Sequence, residues 1–132
     1  MWIDGIFSHY KFIDRIDSIR HRYGELSITH ILEKIMSRII WGSVNANGSI
    51  NSGSKDFRVE RTDTGKYVIT FNTQFSVTPA VVATQNNFGD SGQSNMDGVS
   101  APFVNAGYCQ INTGDNSNKF QDRSFGFIAI GS

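Results

Sequence analysis

The chain has 132 residues and a formal net charge of zero, with twelve basic side chains against twelve acidic ones. That length accommodates one domain with a real core plus an appendage. The cancelled charge leaves no global field to draw the chain to nucleic acid or to an anionic membrane. Its single cysteine, Cys109, excludes an intrachain disulfide, and no apolar run reaches the roughly 18 residues a bilayer span needs.

The opening MWIDGIFSHYKF lacks a basic region followed by an apolar one. No secretory signal is expected there, and synthesis in the cytoplasm follows. From Ile3 to Tyr23 the apolar residues Phe12, Ile16, Ile19 and Tyr23 recur at helical spacing. Gly24 suits a C-terminal stop, and Ser27 an N-cap for the next segment. That segment, Ser27 to Ile40, repeats the pattern at Ile28, Leu32, Ile35 and Ile39. So wide a stripe needs a partner surface. It can pack on the chain's own sheet, or on copies of itself around a symmetry axis. Isoleucine at both seam positions favours more than two strands, so Ile28, Leu32, Ile35 and Ile39 are expected to hold a homotrimer.

Composition changes near Trp41, where the Ile-rich, charged segment gives way to Gly, Asn and Ser. Residues 1–41 are therefore read as a helical oligomerisation or attachment segment, and 42–132 as a β domain. Trp41 to Ala46 predicts a short strand, Asn47-Gly48 a hairpin turn, and Asn51 to Ser54 a polar link. Asp56 to Arg61 alternates Phe57 and Val59 against Arg58 and Glu60, and Thr62 to Gly65 closes a hairpin into the next strand.

The stretch Lys66 to Gln85 is the organising one. Tyr67, Ile69 and Phe71 alternate with Val68, Thr70 and Asn72, as in a strand with one face on a core. Beyond Pro79, residues Ala80 to Thr84 form a second apolar strand. Asn86 to Gly98 is a long polar loop. Val99 to Asn112 predicts a bent strand or strand pair, broken at Pro102 and at Asn105-Ala106-Gly107. A second polar loop runs from Thr113 to Arg123. The last strand, Ser124 to Gly131, is apolar on both sides, which predicts a central strand covered on both faces. Phe71, Val81 and Phe127 are expected in the core. Many short strands spaced by turn residues predict a mainly β protein, a single antiparallel β-sandwich preceded by an N-terminal α-helical segment.

Signals for catalysis are absent. His9, His21 and His30 do not share the spacing that puts two imidazoles on one helix face. No phosphate loop, nucleophile elbow or paired-cysteine motif occurs. Cys109 lies in a strand-like run and reads as a buried hydrophobe, so no enzyme is expected. The two polar loops are the candidate site. Asn86, Phe88, Asp90, Asn95 and Asp97 on the first, with Asp115, Asn116, Asn118, Asp122 and Arg123 on the second, offer hydrogen-bonding groups and nearby aromatics. They suit the hydroxyls of a sugar with Phe88 or Phe120 beneath its ring, the oxygen shell of Ca2+, or turns alone. No cofactor is expected, with Ca2+ as the exception to test.

The run YVITFNTQFSVTPAVVATQ, with Phe71, Phe75, Pro79 and Val81, resembles a characteristic stretch of H-type lectin domains. VSAPFVNAGYCQIN resembles their next hairpin, with Gly107-Tyr108 opening a strand. FGFIAIGS resembles their closing strand and the ends of bacterial and phage tail-fibre tip domains, and TGKYVITF is similar to a strand of C1q-like jelly rolls. The resemblance covers roughly residues 57 to 131. It implies a jelly-roll or H-type-lectin-like sandwich that assembles as a trimer and binds a glycan at loops or subunit interfaces. Where those lectins carry a Trp and charged residues before the final strand, this chain has Gln121-Asp122-Arg123-Ser124.

The function this implies is the receptor-binding, glycan-contacting tip of an oligomeric phage or phage-like tail fibre, displayed on the particle surface. Its helices would join a fibre shaft or base protein, with no nucleic-acid partner and no membrane insertion. The alternative is a structural subunit of a particle or filament surface, assembled by its helices and without a ligand site.

Overall fold

The computed structural model describes residues 37–132 together with residue 15. Apart from residue 15 and residues 37–40, the predicted helical segments, with Ile28, Leu32 and Ile35, lie outside the described residues. Eight strands follow in order: β1 (Arg38–Val44), β2 (Ile50–Gly53), β3 (Phe57–Asp63), β4 (Lys66–Phe71), β5 (Ala80–Gln85), β6 (Val99–Val104), β7 (Tyr108–Thr113) and β8 (Phe125–Gly131). They form two four-stranded antiparallel sheets, ordered β2-β1-β8-β5 and β3-β4-β7-β6. The mainly β, sandwich-like architecture is as expected.

Each sheet buries one face, as period-two alternation requires. Ile40, Val44, Phe125, Phe127 and Ala129 point inward from the first sheet. Phe57, Tyr67, Ile69, Phe71, Cys109 and Ile111 meet them from the second. Aromatic pairs join the layers: Phe57 meets Phe127 edge-on with centroids 5.0 Å apart, and Tyr67 meets Phe125 at 5.0 Å. The Phe57 ring lies so close to β1 that a Cβ on Gly42 would stand 2.5 Å from its Cζ. Only glycine admits that approach.

Several boundaries differ from expectation. The predicted second helix runs through Ile40, whereas Arg38–Ile40 open β1, paired with Ala129–Gly131 of β8. Ile39 therefore does not belong to a helical seam; it is an exposed strand residue opposite Ile130. Strand propensity of Ile39-Ile40-Trp41 and the waiting edge of β8 outweigh a helical spacing that strand residues can mimic. The link Asn51 to Ser54 is largely strand β2. The Asn47-Gly48 turn is a four-residue turn in which Gly48, not Asn47, takes positive φ. Pro102 sits within β6, at an edge of its sheet where the register with β7 shifts, a place that tolerates a missing N–H.

Two further corrections concern the core. β8 is central in its sheet but buried on one face only, with Ile128 and Ile130 exposed. Val81 is only partly buried and packs on the core's margin, whereas Phe71 and Phe127 are inside it.

Candidate functional site

The two polar loops meet at one end of the sandwich. The Asn86 amide donates to the Ser124 carbonyl (3.0 Å), and the Gly114 amide to that of Gly98 (3.0 Å). Gln85, at the end of β5, ties them further. Its Nε2 donates to the carbonyls of Gly98 (2.6 Å) and Gly114 (2.7 Å). Nothing in the sequence marks Gln85 for this role, because both partners are backbone atoms remote in the chain. The Asn45–Gly48 turn joins the same end through Tyr67, whose hydroxyl donates to the Ala46 carbonyl at 2.7 Å.

The opposite end is built from residues 54–56, 72–79 and 105–107. The Phe71 amide donates to the Gly107 carbonyl, that of Asn72 to Asp56, and that of Ser76 to Ser132. Arg38 lies here. Its guanidinium donates to the carbonyls of Thr73 (2.6 Å) and Gln74 (3.3 Å) and stands 4.4 Å from the Phe75 ring centroid. The chain thus enters the sandwich at the end remote from the loops.

The ten predicted site residues fall into three groups. Asp115 and Asn118 border a cleft of about 380 Å3, together with Asn112, Lys119 and Phe120. Asn86, Asp122 and Arg123 border a second, more polar recess of about 270 Å3. Phe88, Asp90, Asn95, Asp97 and Asn116 line neither. Phe88 is exposed, and Asp90 serves its own turn by accepting from the Gly92 amide and from Asn87 Nδ2. Asn95 and Asn116 are exposed to solvent. Asp97 has a nearly buried side chain 4.0 Å from Arg123.

Asp122 is a correction to its expected freedom. Its Oδ1 accepts from Arg61 Nε (2.9 Å) and the Gly65 amide (2.8 Å), with the Tyr67 oxygen 3.5 Å away and its proton directed to Ala46. Those donors hold its carboxyl below the usual carboxylate range, with Arg61 the largest cause and the Gly65 amide next. One carboxylate oxygen thus fastens the second loop to the β3–β4 turn, where Gly65 takes φ of +67°. Its charge is committed inside the protein.

The first cleft keeps more groups unengaged. Asp115 is the engaged exception: its Oδ1 accepts from the amides of Ser117 (2.9 Å) and Lys119 (3.0 Å), and Gln121 Nε2 stands 3.5 Å from its Oδ2. These bonds, that of Lys119 foremost, keep its carboxyl below the usual range and thus ionised at neutral pH. Asn118 stands at a φ of +62°, which asparagine tolerates better than most residues, and its exposed side-chain amide has no partner among the described residues. The Phe120 ring is half exposed, with the Lys66 ammonium 4.9 Å from its centroid. Asn112 accepts from Gln110 through Oδ1, and its own Nδ2 has no hydrogen-bond partner among the described residues. Sequence reasoning missed Asn112 and Lys66, because only the β4–β7 register places them side by side.

Among the described residues, no three His, Cys, Asp or Glu side chains group as a metal site. Cys109 is fully buried, and burial pushes its thiol up to about 12, so it stays a thiol at neutral pH. No family model matches the chain, and no curated protein or solved structure shows significant similarity to it.

Proposed function

We propose that this chain is the receptor-binding tip of an oligomeric phage or phage-like tail fibre, a non-catalytic module that contacts a cell-surface glycan. The observation carrying the proposal is the cleft beside Phe120. There a half-exposed ring adjoins the Asn118 amide, the Asn112 Nδ2 and an ionised Asp115. A sugar presents an apolar C–H face and hydroxyls that both donate and accept. An aromatic ring suits the first, and amide and carboxylate groups held on a rigid scaffold suit the second. Entry of the chain at the opposite end supports the same reading, since a tip must direct its loops away from its attachment.

The test is binding of the full chain to a glycan array, with thermal melting measured alongside. Phe120→Ala and Asn118→Gly are expected to lose most binding while melting within a degree or two of wild type. Glycine at 118 keeps the left-handed backbone and removes only the amide. If both variants bind as the wild type does, the cleft is not the site. A second reading, an assembly subunit without a ligand, draws on the apolar outer face of the β2-β1-β8-β5 sheet. It predicts no glycan binding by any variant, together with regular higher assemblies of the full chain.

A further inference from the structure

The two outer faces of the sandwich differ in chemistry. On the β3-β4-β7-β6 sheet the outward residues mix Arg58, Glu60, Lys66, Thr70 and Gln110 with the exposed aromatics Phe103 and Tyr108, so charged and apolar side chains alternate there. On the β2-β1-β8-β5 sheet the outward positions hold Ile39 and Trp41 from β1, Ile128 and Ile130 from β8, and Val82 from β5. The register lays these against one another: Ile39 pairs with Ile130, and Ile128 lies between Trp41 and Val82. Their exposures run from 42% for Ile128 to 65% for Val82. Together they present on the order of 500 Å2 of contiguous apolar surface, at the upper end of what a monomer carries. That is more than half of the roughly 800 Å2 each partner contributes to a standard interface.

We infer that this face is where a second copy of the chain packs. Two features select a copy over another partner. No charged side chain lies among these outward residues, so two such faces meet without repulsion and without needing a complementary charge. The face is also uneven, with exposed side chains beside a recess. Next to the Ile39–Ile130 pair lies a recess of about 400 Å3, walled by Trp41, Val82 and Ile128 and reaching Gly126. About a two-fold axis the Ile39–Ile130 pair of one copy meets the recess of the other, and stacked sheets bury such faces about 10 Å apart. The inference rests on the self-association in the proposed function but not on its ligand.

The experiment is sedimentation equilibrium of the full-length wild type, Val82→Lys and Gly126→Val, with near-UV circular dichroism to check folding. Valine at 126 suits a strand. Its Cβ would meet only Asn86 Nδ2 at 3.5 Å and the Gly42 carbonyl at 3.8 Å, both ordinary contacts. It fills the recess without adding charge. Both variants are expected to keep the native spectrum and to weaken association at least about tenfold. Wild-type association strength in both variants would overturn the inference while leaving oligomerisation itself intact, carried elsewhere. A wild type that stays monomeric up to roughly 100 μM overturns both. In that case a lowered melting point for Val82→Lys would assign the face to the chain's own residues 1–37.

Discussion

Asp122 illustrates how far one atom's environment decides a role. A carboxylate on a polar loop reads as a ligand group, yet its Oδ1 gathers Arg61 and the Gly65 amide. Asp122→Ala leaves the buried Gly65 amide without its acceptor, which costs about 1 kcal/mol or more. A melting point roughly 4–8 °C below wild type is expected for a domain of this size, read by calorimetry. The pH dependence follows from the same contacts. The carboxyl's folded-state pKa lies below its ordinary 3.8, so folding favours the ionised form. The stability it contributes is complete above that value and is lost as the pH falls through the depressed one. Asp115 acts in the same direction. Acid titration of the melting point should therefore fall less steeply below about pH 4 in Asp122→Asn than in the wild type.

Among the elements, β8 binds the first sheet together because it pairs with β1 on one side and β5 on the other. Its inward residues Phe125, Phe127 and Ala129 are all buried. Phe127→Ala removes the ring that Phe57 meets edge-on and should cost roughly 3–5 kcal/mol. Val81→Ala, at the core's margin, should cost about 1 kcal/mol, because a partly exposed site loses less transfer energy and collapses more easily. Equal denaturation midpoints for the two variants would contradict these burial assignments. Gly42→Ala tests β1 in the opposite sense. Its new methyl group would overlap the Phe57 ring, so β1 or the ring must shift, and a loss of about 1–3 kcal/mol is expected in the same denaturation series.

At the scale of the whole molecule, the two sheets distribute stability unevenly. β1 and β8 are central in one sheet, β4 and β7 in the other, whereas β2, β5, β3 and β6 are edges. Among the described residues, amide exchange is expected to be slowest in the four central strands and fastest in residues 86–98, whose backbone pairs mostly with itself in turns. Mass-resolved exchange on the full chain would show this order, and a protected 86–98 segment would contradict it. The ends are as distinct as the sheets, one bearing the polar loops and the other receiving the chain at Arg38. That polarity allows a ligand at one end and attachment at the other without competition for surface.

Much of the β architecture was legible in the residues themselves. Alternation of Tyr67, Ile69 and Phe71, or of Phe125, Phe127 and Ala129, is imposed by the pleat, so local pattern suffices to name the strand and its buried face. The tight turn at Gly65 and the two loop spans follow in the same way from residues with special backbone freedom. What remained open depended on partners distant in the chain. Ile39 spaces equally well for a helical stripe and for a strand, and only the free edge of β8 settles it as strand. Ile128 and Ile130 announce apolar surroundings on both sides of β8, but whether anything covers the second face is a property of the assembled sheet. Asp122 and Phe120 carry the same local signals as any loop residue. The fold commits the one to Arg61 and Gly65 and opens the other onto a cleft, because hydrogen bonds and cavities form between segments that sequence proximity does not connect.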